Sequence, residues 1–375
     1  MCIFNHILSG RNDMEILILC KSAFQLVSSS RIAETVHKGD NVDMALFDNI
    51  ANADKLLDSI KRSSFFRDVN IYSYQKYARG RRPKRKAAPY MYNIKLPTER
   101  VYDIVYFANV YDWISNQIIH HLREAVKKAG KELEVRMFED GFSTYSDHYG
   151  KFFSRLGKYS PIQKHLTERA YGEYYNISKL FVFTPELVEW KPPFELVPIK
   201  KISYDDTDYI REMNIIFNFE KLTDKYDKDI IFFEESYFAD NIKVDDIGVI
   251  KRIAAIAGKD NIFVKIHPRN PVNRFKGMGI CTNENTVVPW EIIAMNIDLT
   301  NKLLITIASG SALTSLVNMS VVPKRIIMLA NMEGIDETKL TPTCRTLKRI
   351  AMHYPETASL PETYEELEDL LGGLC

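Results

Sequence analysis

Three short polar clusters carry side chains that can do chemistry, and each ends an apolar run. Glu139-Asp140-Gly141 closes the run that starts at Leu133. Lys265-Ile266-His267-Pro268 closes a second, and Ala308-Ser309-Gly310-Ser311 closes a third. Proline lacks an N–H for a sheet ladder and drives its predecessor into extended geometry, so His267 is expected at the last position of a strand. Open α/β sheets bind ligands at that edge. The shared form (apolar run, polar punctuation, new element) predicts that all three clusters face one cleft.

Each cluster admits two readings. Two carboxylates beside a glycine free to turn the chain can supply a general base to an attacking hydroxyl, or make a plain acidic turn. Strand neighbours point to opposite sides, so only one of Glu139 and Asp140 easily faces the cleft. Asp140, next to Gly141, is the one whose backbone can turn toward a ligand. His267 with Lys265 and Arg269 suits a phosphate, and a histidine can protonate a phosphate leaving group; a strand-end histidine is also a common structural residue. Ser309-Gly310-Ser311 precedes a helix, where hydroxyls and free N–H groups make an anion site. The plain alternative is an N-cap serine, worth about 1 kcal/mol. Pro289 is expected to open a short helix at its first position. Glu291 there either complements the helix dipole or accepts a ribose hydroxyl.

Other candidates are weaker. Asp206-Thr207-Asp208 has a metal-binding form, but at a helix start Asp and Thr serve as caps, so no metal site is assigned. His120-His121 are neighbours pointing about 100° apart on a helix and cannot form one metal site. The absence of GxGxxG, P-loop, HExxH and GxSxG patterns argues against dehydrogenase, kinase, zincin and α/β-hydrolase.

The elements that position these clusters alternate. Glu15 to Cys20 reads as a buried strand, and a helix follows from about Ala23 to Lys38. Further strands are expected at Val42 to Phe47, Val69 to Tyr74, Val101 to Phe107, Leu133 to Phe138 and Leu180 to Thr184, with helices between, as in parallel βαβ units. Pro192, Pro193, Pro198 and the charged run Asp224 to Asp229 mark a boundary around a helix near Asp208 to Glu220. Strands then resume at Ile230 to Phe233, Ile262 to His267, Leu303 to Ile307 and Arg325 to Leu329. The expected organisation is a Rossmann-like domain over 1–200, a linker over 201–228 and a second Rossmann-like domain over 229–375. The 375 residues suit two cores.

Composition excludes several classes. With 46% hydrophobic and 26% charged residues the chain is globular, and a net charge of +1 argues against a nucleic-acid partner. Five scattered cysteines without a CxxC point to a reducing compartment and away from zinc. Met1 to Asn12 lacks the basic and apolar regions of a signal peptide. Leu303 to Pro323 is uncharged, but Ser309-Gly310-Ser311 interrupts it, so strand, turn and helix are expected rather than a membrane span. Arg79 to Lys86 is strongly basic. It is either a solvated loop or a patch for anionic membrane or phosphorylated glycolipid, at about 1 kcal/mol per cation.

Together these residues resemble the bacterial sialyltransferases that cap lipooligosaccharides and capsular polysaccharides. Their marks, in order, are D/E-D/E-G, H-P and a Ser/Thr-rich motif, matched here by Glu139-Asp140-Gly141, His267-Pro268 and Ser309-Gly310-Ser311. Leu19 to Gln25 looks like that family's first strand and turn, and Val288 to Glu291 like its ribose-binding element. Gly310 departs from the family's adjacent Ser/Thr pair.

The resemblance implies an α/β GT-B fold, two doubly wound Rossmann-like domains facing a cleft. It implies inverting transfer of sialic acid from CMP-sialic acid to a terminal hydroxyl of a bacterial surface glycan or glycolipid, without cofactor or metal. Asp140 and His267 are then catalytic. Lys265, His267, Pro268, Glu291, Ser309, Gly310 and Ser311 hold the nucleotide. Ser22, Gln25, Glu139 and Gly141 lie near donor sugar or acceptor. The expected location is cytoplasmic, with the option of peripheral contact at the inner membrane face through Arg79–Lys86; a homodimer stays open. The alternatives are another nucleotide-sugar transferase of this fold, such as a glucosyltransferase, or a non-catalytic glycan- or nucleotide-binding protein.

Overall fold

Buried apolar runs alternate with helices to build two sheets in which every pairing is parallel. The computed structural model describes residues 13–50, 52–74, 95–96, 98–221, 224–333, 335 and 337–372. The basic segment Arg79–Lys86 lies outside the described residues.

The first sheet contains β1 (Glu15–Cys20), β2 (Asn41–Phe47), β3 (Asp68–Tyr72), β4 (Ile104–Phe107), β5 (Glu134–Phe138), β6 (Ile177–Val182) and β7 (Glu195–Pro198), in the order β3-β2-β1-β4-β5-β6-β7. The second contains β8 (Ile230–Phe233), β9 (Ile262–Lys265), β10 (Cys281–Thr282), β11 (Leu303–Thr306), β12 (Arg325–Met328) and β13 (Ala358–Ser359), in the order β10-β9-β8-β11-β12-β13. Central strands such as β4, β8 and β11 are buried along their whole length. That is why they read as unbroken apolar runs rather than alternating ones. Each sheet reverses its order beside its first strand, β1 against β4 and β8 against β11. This doubly wound pattern opens a crevice beyond the strand carboxyl ends.

The two sheets are joined by more than a linker. The helix Thr207–Phe217 buries Tyr209, Met213, Ile216 and Phe217. Tyr209 donates to the carbonyl of Val27 (2.9 Å), and buried Arg31 pairs with Asp206 (2.5 Å). On its other side Asn214 and Asn296 exchange amide hydrogen bonds, both 2.8 Å. Residues 201–228, expected as a linker, therefore contain a packed bridging element. Thr184 also donates to Val317 O (3.0 Å), and Ile202 bridges Met319. The helix Glu337–His353 reaches back to the first domain, where Arg349 donates to Glu186 O (3.2 Å).

Several expectations need correcting. Strand β9 stops at Lys265, not His267. The Ile266 N–H leaves the ladder for Asn283 Oδ1 (2.6 Å), and the His267 N–H goes to Glu234 Oε2 (3.1 Å). The proline-rich approach to the boundary contains β7, an edge strand, where Pro198 needs no ladder partner on its open side. Pro289 is the N-cap of the short helix Trp290–Ala294 rather than its first residue. The uncharged stretch 303–323 is strand, turn and helix. No helix among the described residues is long and apolar enough to cross a membrane.

Candidate active site

Three loops at the carboxyl edge of the first sheet converge on Asp140. After β1, Ser22 caps the helix Ala23–Thr35 by accepting from Gln25 N (3.1 Å). Gln25 is buried; its Oε1 accepts from Lys21 N (2.7 Å) and its Nε2 donates to Asp140 Oδ1 (2.5 Å). After β4, Asn109 Nδ2 donates to Asp140 Oδ2 (2.6 Å), while its Oδ1 accepts from Tyr111 N (2.7 Å). After β5, the Asp140 N–H donates to Thr144 Oγ1 (2.8 Å). Both carboxylate oxygens and the main chain of Asp140 are thus held. Gly141 turns the chain at φ +72°, a conformation glycine adopts without strain.

Burial raises the Asp140 carboxyl above the ordinary aspartate range, and the two amides and the Lys21 charge act against that rise. Lys21 is itself buried, paired with Asp112 and seated 4.6 Å from the Phe47 ring centre and 5.0 Å from that of Tyr74. The Tyr149 hydroxyl is buried beside Asp140, and burial and the Asp140 charge raise it.

Glu139 points the other way. Its Oε2 accepts from Tyr145 Oη (2.5 Å) and from Phe183 N (2.9 Å), and burial pushes its carboxyl up to about 8. At neutral pH it is a mostly protonated strut between β5 and β6. Ser22 is equally committed, as a cap. Of the residues expected near donor sugar or acceptor, Gln25 and Gly141 shape the Asp140 turn directly.

Across the crevice, a cavity of about 340 Å³ is lined by Ala23 and Phe24 of the first domain and by Lys265, His267, Pro268, Glu291, Ser309 and Ser311 of the second. The H-P, P-W-E and serine clusters meet there. A larger hollow of about 590 Å³ lies between the helix Thr207–Phe217 and the Met295–Asp298 turn, and none of the clusters lines it. We take the smaller cavity as the site because chemistry needs the clusters, not the volume.

Within it, the Arg269 N–H donates to His267 Nδ1 (3.2 Å), so neutral His267 carries its proton on Nε2. Burial, then Arg269 and Lys265, push His267 down to about 4. It is a neutral donor at pH 7. Lys265 and Glu291 are both buried and act on one another. Burial lowers the lysine and raises the glutamate, and each charge partly offsets the shift of the other. Ser309 stands at the N-cap of the helix Gly310–Val317, yet its side chain makes no capping bond. Trp290 Nε1 donates to Ser315 Oγ (2.7 Å), tying the Glu291 helix to the serine helix.

The D-x-D carboxylates have other partners: Asp206 with Arg31 and Lys200, Asp208 with Arg211. Asn109 and Glu234 were not among the expected site residues. Glu234 accepts from the His267 N–H and pairs with Arg274 (2.8 Å). A signal existed. Each follows a buried strand at the same edge as the clusters, in Phe107-Ala108-Asn109 and Phe233-Glu234.

Comparison with known proteins follows this geometry. Among solved structures, the spinosyn forosaminyltransferase SpnP superposes with a TM-score of 0.52 over 93% of this chain and 86% of its own, at 9% identity. A glycotransferase of kitacinnamycin gives 0.49 over 96% and 90%, at 9% identity. The E. coli heptosyltransferase WaaC with ADP gives 0.43 over 96% and 100%, at 10% identity. At such identity the likeness concerns fold alone, and that to SpnP agrees with an α/β fold of two parallel sheets of the GT-B kind. No curated protein matches the chain. The model of the Alpha-2,8-polysialyltransferase (POLYST) family matches residues 7–313, a span that includes all three clusters. The chain belongs to that family, and it is a glycosyltransferase.

Proposed function

We propose that the chain is an inverting, metal-independent sialyltransferase that moves sialic acid from CMP-sialic acid to a glycan hydroxyl. The observation that carries this reading is the cavity itself. It gathers His267, Lys265, Glu291, Ser309 and Ser311 on one wall, with Phe24 opposite.

The anomeric carbon of sialic acid is tertiary and carries a carboxylate, so its transition state is oxocarbenium-like by analogy with glycosidases. The bond from that carbon to the phosphate oxygen breaks, and its electrons leave with CMP. His267 Nε2–H, the two serine hydroxyls and the N-terminus of the helix Gly310–Val317 stabilise the departing phosphate. Glu291 accepts from the ribose. On the opposite face the acceptor oxygen bonds to the anomeric carbon and gives its proton to Asp140. Asp140 is suited to this because its burial raises proton affinity while Gln25 and Asn109 aim both oxygens. The family description points to a terminal sialic acid as the first acceptor to try. Work at the inner face of a bacterial membrane, with Arg79–Lys86 on anionic lipid, belongs to the same proposal.

Thermal melting with CMP, UDP and GDP tests the donor. A ligand at 100 times its Kd stabilises the fold by about 2.7 kcal/mol, and CMP alone should raise the midpoint. A rise with UDP instead would favour a glucosyltransferase-like donor. Transfer should survive excess EDTA; loss of activity restored by magnesium would overturn the metal-free mechanism.

A further inference from the structure

Gly310 separates two serines that face the cavity, and the reason lies across the crevice. A Cβ on Gly310 would sit 3.2 Å from Phe142 Cβ. That is closer than ordinary packing, and the atom it meets is not the end of a flexible side chain. Phe142 Cβ moves only with its main chain, two residues from Asp140. On its other side the same turn rests on the first domain, where a Cβ on Gly141 would sit 3.7 Å from Phe24.

The serine helix cannot easily yield. At its far end Leu316 O accepts from Lys201 Nζ (3.1 Å), Val317 O from Thr184 Oγ1 (3.0 Å) and Asn318 O from Ile202 N (2.8 Å). Trp290 holds it at Ser315. Pressure at Gly310 therefore passes to the turn that carries Asp140.

We propose that the contact between Phe142 and Gly310 sets the reach of Asp140 across the cleft, making Gly310 a positioning residue for proton transfer rather than a phosphate ligand. This rests on the sialyltransferase reading only in naming Asp140 as the base. It explains the glycine that breaks the expected Ser/Thr pair: the donor helix must approach the base turn closely. A misplacement near 1 Å can cost about 10²-fold in rate, so a methyl group here matters.

The test is Gly310→Ala, with kcat and CMP affinity measured separately. The change replaces glycine by a better helix former at the first position of a helix and reduces the freedom of the unfolded chain, so a purely local view expects a protein at least as stable and equally active. Our expectation is a kcat lower by about 10- to 100-fold with CMP affinity kept within a few-fold. Adding Phe142→Ala to Gly310→Ala should restore part of the rate by removing the bulk on the other side. Wild-type kcat in Gly310→Ala would overturn the proposal. So would CMP affinity and kcat falling together without relief from Phe142→Ala, which would make Gly310 part of the phosphate site. Should Gly310→Ala not fold, Phe142→Ala alone decides. Reduced kcat with unchanged CMP affinity supports the contact, and unchanged kcat refutes it. Transfer by the wild type from a different nucleotide sugar would sink the CMP reading alone, and the same variants would then be compared with that donor. An inert wild type would sink both.

Discussion

The two walls of the crevice are built differently. On the first-domain side, polar groups of the Glu139–Asp140 turn are matched inside the protein: Asp140 by Gln25, Asn109 and Thr144, Glu139 by Tyr145 and Phe183. On the second-domain side, Ser309 stands at an N-cap without capping, and His267 spends Nδ1 on the Arg269 N–H while Nε2 keeps a proton to give. A wall already satisfied reorganises little during reaction, which suits a group that must receive a proton in one geometry. A wall with donors in reserve suits an anion that arrives and leaves. Under the proposed function, the contrast puts chemistry on one side and binding on the other.

The strongest way to break that contrast is Asp140→Asn. It should lower kcat by about 10²–10⁴ and leave CMP affinity unchanged, because the proposed nucleotide contacts lie on the other wall. Weakened CMP binding would mean that the walls are not separate. The pH profile sharpens the same point. A base works only when ionised, and burial raises Asp140. Activity should therefore fall, as pH is lowered, at a value above the ordinary aspartate pKa of about 3.9.

His267→Ala should come next, at about 10² in kcat. Unlike the Asp140 variant, it should also weaken CMP, since one donor then serves ground state and transition state alike. Turnover near wild type would make His267 a structural residue whose work is to anchor the Arg269 turn.

Glu139→Gln should have the smallest effect on rate, because Glu139 faces away from the crevice. Its signature is in stability. Burial raises its carboxyl from 4.5 to about 8 in the folded protein. Between those values the native state holds a proton that the unfolded state has released, so stability falls as pH rises through that window. Glutamine lacks this penalty. The melting temperature of the variant relative to wild type should improve between about pH 5 and pH 9. A dead Glu139→Gln enzyme beside an active Asp140→Asn enzyme would reverse the two roles.

Much of this was legible locally. An apolar run that stops at a polar cluster marks a sheet edge whatever surrounds it, and that placed Asp140, His267 and Ser309 near their observed positions. Elements without such a local mark were not. Strands β10 and β13 have two residues each, too few to show a period. Strand β7 is tolerated with its proline only because it lies at the edge, a fact about its neighbours. The helix Thr207–Phe217 looked like part of a linker because its buried partners, Val27 and Arg31, lie far away in sequence.

The sequence by itself determined the alternation of strand and helix, the sheet edge at which the polar clusters lie, and a glycine free to turn the chain at position 141. Those depend on backbone sterics and on apolar patterning, which act over a few residues. Only the tertiary structure decided that Glu139 is buried against Tyr145 and Phe183 while Asn109 and Gln25 hold the Asp140 carboxylate, and that Gly310 lies against Phe142. Each of these depends on which loop the fold brings opposite. Pairings between residues more than a hundred positions apart, such as Gln25 with Asp140, leave no periodic trace in the chain.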